Sequence, residues 1–106
     1  YEKSSIKSAF LTNISKLLGL NCKIICSDVN SVKIDSNHIV CRAFRKLPYI
    51  LNISRENCVK KHKFIVMKGK NAQYEINNTS QMRNYEYRLE KSITDNDSKI
   101  IILNAE

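Results

Sequence analysis

The sequence predicts an α/β fold, a small sandwich built on a parallel sheet with helices packed against it. Three observations carry that expectation: an amphipathic helical stretch near the start, short β-branched apolar runs with little alternation, and the order helix–strand–strand–helix–strand. At 106 residues the chain has room for one small domain with its own core.

Taken in order, Ser4 and Ser5 are suitable N-caps, and Ile6, Phe10, Ile14, Leu17 and Leu18 then recur at spacings of three and four, one face of a helix. Gly19 supplies the left-handed position that ends it. If that face is buried, Leu17→Ala should cost about 2–5 kcal/mol. Residues 22–26 (Cys-Lys-Ile-Ile-Cys) are short and β-branched and read as a buried strand, 27–36 as a turn-rich stretch, and 38–41 as a second apolar strand. Pro48 fits the first turn of a second helix starting near Leu47, with Leu47, Ile50, Leu51 and Ser54 on one face. Cys58 and Val59 open a third strand, and 64–67 are a short helix or a strand extension. Residues 68–71 form a turn, 77–84 a loop or linker, 85–93 a brief helix, and 99–103 a strongly β-branched strand.

Charge is unevenly placed. The chain carries 18 Lys and Arg against 10 Asp and Glu, a formal net charge of +8. Residues 1–41 and 71–106 nearly cancel, so the excess sits in 42–70, where Arg42, Arg45, Lys46, Arg55, Lys60, Lys61, Lys63, Lys68 and Lys70 face one acid, Glu56. Such a field favours polyanions: nucleic-acid backbone, phosphorylated segments or acidic peptides. The bland alternative is a solvated lysine-rich face. No apolar run is long enough to span a bilayer and no secretory signal is visible, so a soluble intracellular fragment is expected, with Tyr1 pointing to a native start further upstream.

Several patterns resemble a BRCT domain. Phe10-Leu11, Ile14, Leu17-Leu18-Gly19 followed by 22–26 is similar to that family's first helix and second strand. Ser36-Asn37-His38-Ile39-Val40-Cys41 stands where the family has Thr-His-Leu-Val, and the stretch from Phe44 to Ile53 resembles the start of its second helix. Val59-Lys60-Lys61-His62-Lys63-Phe64-Ile65 is similar to the step into its third helix, with Phe64 in the place of a tryptophan, and Gln73-Tyr74-Glu75-Ile76 to its closing motif. The resemblance implies a three-layer sandwich with a mostly parallel four-stranded sheet over residues 1–84, and places 85–106 as an extension, an added strand or the approach to a following repeat. It also implies a non-catalytic, nuclear interaction module that recruits a phosphorylated or acidic protein segment in chromatin or DNA-repair work. The family's Ser/Thr-Gly half of a phosphate site is absent, and its helix lysine aligns with Pro48.

On the residues themselves the best site is the basic constellation. Arg42, Arg45 and Lys46 crowd the N-terminus of the helix begun by Pro48, where backbone amides and the dipole also favour an anion, and Lys60, Lys61 and Lys63 would extend the patch. Nucleic acid is the alternative partner, held through counterion release, and a structural repeat packed on a neighbour is a third reading. Cys22 and Cys26, His38 and Cys41, and Cys58 and His62 have metal-like spacings, but His38 and Cys41 would point to opposite faces of a strand, and free cysteines are commonly core residues. No nucleophile elbow or phosphate loop is present. Neither metal, cofactor nor catalysis is therefore expected.

Overall fold

A computed structural model describes residues 1–42 and 45–105, which fall into two units, Tyr1–Lys33 and Ile34–Glu106. In the first unit, helix α1 (Ser5–Leu17) begins where the Ser4 hydroxyl accepts from the Lys7 amide at 3.3 Å. It ends at Gly19, whose φ is 62°, with the Gly19 amide donating to the Lys16 carbonyl and the Leu20 amide to that of Ser15. The apolar stripe does not face inward: Ile6, Phe10 and Leu17 are 83%, 63% and 81% exposed, and the helix buries Ser8 and Ser15 instead. Ser8 Oγ donates to the Glu2 carbonyl at 2.9 Å, and Thr12 Oγ1 donates to that of Ser8 at 2.8 Å. Residues 22–26 form no strand. One backbone bond ties them to Glu2 (Glu2 amide to Ile25 carbonyl, 3.0 Å), with the adjoining Ser27 amide donating to the Glu2 carbonyl at 3.1 Å, too few for a ladder.

The second unit is a four-stranded sheet with helices. Strand β1 (His38–Arg42) leads through helix α2 (Leu47–Glu56) to β2 (His62–Lys68); helix α3 (Ala72–Asn77) follows, then β3 (Glu86–Lys91) and β4 (Lys99–Ala105). The spatial order is β1-β2-β4-β3. Only β1 and β2 are parallel; β4 pairs antiparallel with both β2 and β3. The sheet is thus mixed, which corrects the expectation of a mostly parallel one. The cause is connection length: α2 gives β1 and β2 the long crossover that parallel strands need, whereas the short link 92–98 returns the chain as a hairpin. Residues 85–93, expected as helix, hold strand β3, and 64–67 lie within β2. Cys58 contributes a single parallel bridge to Ile34 rather than a strand.

Register shows where the core sits. Phe64 lies opposite Leu103, and Val66 opposite Ile101, placing these four on one face with Ile39 and Cys41 of β1 and Leu89 of β3. Leu47, Ile50 and Leu51 of α2, Ala72 and Ile76 of α3, and Met82 close over that face. Both helices cover the same side, so residues 34–106 make two layers where three were expected. The other face carries Val40, Ile65, Met67, Ile100 and Ile102.

Candidate nucleic-acid interface

Parallel pairing brings the carboxyl ends of β1 and β2 to one edge, with Arg42 opposite Met67 and Lys68 next along β2. Ligands of open α/β sheets bind outside that end of the strands. From there Arg45 and Lys46 lead into α2, and Gly69, Lys70 and Asn71 lead into α3. Lys68 braces both connections. Its side chain is 11% exposed, and its ammonium lies 3.1 Å from Glu75 Oε1 and donates to the Arg45 carbonyl at 2.6 Å. The same Glu75 oxygen accepts from the Leu47 amide at 3.1 Å, so one carboxylate ties α3 to the start of α2.

That bond changes the expected anion site. Pro48 has no N–H, the Leu47 amide is taken by Glu75, and the Tyr49 and Ile50 amides donate to the Lys46 carbonyl. The first turn of α2 is therefore already satisfied, and an anion at this edge would be met by side-chain cations rather than amides. Arg42, Arg45 and Lys46 are exposed, and the Arg45 guanidinium stacks 4.9 Å from the centre of the Tyr49 ring. Phe44 lies outside the described residues.

The other three expected residues lie elsewhere. Lys60 and Lys61 follow α2 at its far end, where Lys60 pairs with Asp35 at 3.0 Å, and Lys63 is the second residue of β2. Lys63 stands five residues before Lys68, about 16 Å along the strand. Arg55, Lys60 and Lys61 there border a cavity of about 740 Å³ that is also lined by Asn52, Asn84 and Asn104. Beneath it, His62 Nδ1–H donates to the Lys60 carbonyl at 2.8 Å, which leaves Nε2 to accept from the buried Ser54 hydroxyl at 2.6 Å.

Lys68 and Glu75 are the residues that sequence reasoning missed. Lys68 ends a strand and Glu75 lies on the following helix, so the periodicity of no single element links them. Among the described residues, no three His, Cys, Asp or Glu side chains come together as a metal site. Burial pushes the Cys41 thiol up, partly offset by the Lys68 charge, and burial also raises that of Cys58.

Comparison with known proteins gives one consistent answer. The family model described as rRNA small subunit methyltransferase G matches residues 1–101. A protein of Pelagibacter ubique named ribosomal RNA small subunit methyltransferase G is 35% identical over 102 residues, covering 95% of this chain and 48% of its own length. Proteins of that name from Rickettsia felis and Orientia tsutsugamushi are 37% and 34% identical, covering 90% and 94% of this chain and 49% and 50% of theirs. The chain spans about half the length of these relatives. The match overturns the resemblance to a BRCT domain, and with it the interaction module in chromatin or DNA repair and the phosphorylated protein partner. The expectation of a non-catalytic protein falls as well, because the family is named for a methyl transfer. A nuclear setting fails too, since these relatives come from bacteria, which have no nucleus.

Proposed function

The chain belongs to the rRNA small subunit methyltransferase G family, and from that premise we propose that it supplies the substrate-gripping part of an enzyme that methylates ribosomal RNA. Arg42, Arg45 and Lys46 hold the RNA backbone at the carboxyl edge of β1 and β2. The observation that carries the reading is the braced edge: Lys68 and Glu75 fix the two connections, and the three exposed cations sit on the connection from β1 to α2. Arginine suits this task because its planar fork meets phosphate oxygens in pairs, and its stacking on Tyr49 limits the rotamers to be ordered on binding. The methyl donor that such an enzyme implies does not fit these residues. A close-approach cradle needs a glycine-rich turn, yet this edge holds one glycine, Gly69, and the Glu75 carboxylate is committed to Lys68 and Leu47.

A salt titration of binding to a small-subunit rRNA fragment tests the grip. Affinity should fall steeply with added salt as counterions are released, and each of Arg42→Ala, Arg45→Ala and Lys46→Ala should reduce the log–log slope by about 1. An affinity that ignores salt would remove RNA backbone as the ligand.

A further inference from the structure

Glu75 joins two helices at the carboxyl edge of β1 and β2. Its Oε1 accepts from the Leu47 amide at 3.1 Å and from the Lys68 ammonium at 3.1 Å, so the middle of α3 is held against the start of α2. Helix α3 turns Ala72 and Ile76 into the core. Tyr74, two residues from each, therefore falls on the opposite side of the helix, and it is 70% exposed. Along the chain Tyr74 is one residue, about 3.8 Å, from Glu75, and Arg45 is two residues, about 7 Å, from Leu47. The Arg45 guanidinium lies 4.9 Å from the centre of the Tyr49 ring, and Lys46 and Lys70 are exposed on the two connections. One carboxylate thus brings an exposed aromatic ring next to a row of cations. Contacts to phosphate fix the position of a nucleic acid but say nothing of its bases, whereas an aromatic face stacks on a base of any kind. In a closed duplex the bases are already stacked on one another, and an A-form helix offers a protein mainly its phosphates and 2′-hydroxyls.

We propose that Tyr74 is a stacking contact for one unpaired base of the RNA, while Arg42, Arg45 and Lys46 hold the neighbouring backbone. The inference rests on the RNA-gripping role and adds what that grip lacks, a contact to a base. Stacking needs only a flat face open to the ligand, which the side of α3 turned away from the core provides, and the phenol ring loses little rotamer freedom on binding.

The probe is a short single-stranded RNA carrying one 2-aminopurine, whose fluorescence is quenched on stacking, compared with its duplex at the same salt. The single strand should bind more tightly than the duplex, with its fluorescence quenched. Tyr74→Ala should lower single-strand affinity by about 5- to 150-fold and abolish the quenching. Duplex binding, the salt slope and the urea midpoint should stay as they are, and Tyr74→Phe should keep both the affinity and the quenching. Tyr74→Leu retains apolar bulk without a π face and should behave as the alanine variant does, so the comparison survives if either one fails to fold. Full single-strand affinity in the alanine or leucine variant, or equal losses for single strand and duplex, would overturn the proposal. The grip is read separately, in the salt slope of the unsubstituted chain. A flat slope removes the grip, whereas a steep slope with no effect at Tyr74 removes the stack alone.

Discussion

Lys68 carries its ammonium on a side chain about nine-tenths shielded from water, held by one carboxylate oxygen and one carbonyl. Removing a single partner from such a pair leaves a buried charge uncompensated, which outweighs the modest net value of the intact pair. Glu75→Ala should therefore cost about 3 kcal/mol in urea unfolding, and pairing it with Lys68→Met should recover part of that loss. A harmless single substitution would show that the brace is ornamental. Leu17 makes the opposite case. Periodicity put it on a buried face, but at 81% exposure Leu17→Ala should stay within about 0.5 kcal/mol, whereas Leu47→Ala, at a fully buried site, should cost about 2–5 kcal/mol. The thiols separate in the same way. Cys22 and Cys26 are exposed, while burial raises the Cys41 and Cys58 thiols, so alkylation at mildly alkaline pH should reach the first two well before the others, as peptide mass spectrometry can read. Because the raised values favour the protonated form in the folded state, their contribution is complete below the ordinary thiol range and is lost as pH climbs through the raised values.

At the scale of elements, α1 and α2 were legible because capping residues, Pro48 and Gly19 fix helix ends locally. Strand β3 was not. Tyr85, Leu89 and Ile93 recur at helical spacing, yet Ile93 is fully exposed while Leu89 packs on the core, so pairing with β4 decided what local spacing left ambiguous. The β3–β4 hairpin also has a pH signature. In the link 92–98, Asp95 accepts from the Asp97 amide at 2.9 Å and the Ser98 hydroxyl at 3.0 Å, and these bonds lower its pKa. The depressed value means that the stabilisation is present above the usual carboxylate range and disappears as pH falls through the lowered one. Amide protection at Ser98 should drop on acidification, and Asp95→Ala should abolish that dependence while leaving the strands paired. An unchanged acid response in the variant would assign the effect elsewhere.

For the whole molecule, composition located the charge but could not place it in space. Arg42, Arg45 and Lys46 precede a crossover helix about 15 Å long, and Lys60 and Lys61 follow it, so a run of bases continuous in sequence divides between opposite ends of β2. The BRCT resemblance failed for a related reason. Short apolar runs alternating with helices recur throughout α/β folds, and the decisive antiparallel placement of β4 between β2 and β3 depends on long-range pairing that local motifs do not encode. Glu75 escaped notice because its partners, the Lys68 ammonium and the Leu47 amide, reach it only once α3 has folded back on the edge.

The division of the charge also sets the most direct test of the proposed grip on RNA. Two triple variants, Arg42→Ala/Arg45→Ala/Lys46→Ala and Lys60→Ala/Lys61→Ala/Lys63→Ala, remove the same number of charges from the two ends of β2, and each is titrated with the same small-subunit rRNA fragment over a range of salt. The first should lose most of its affinity and about three units of salt slope, while the second should stay close to the unsubstituted chain. Equal losses, or a larger loss in the second, would contradict it.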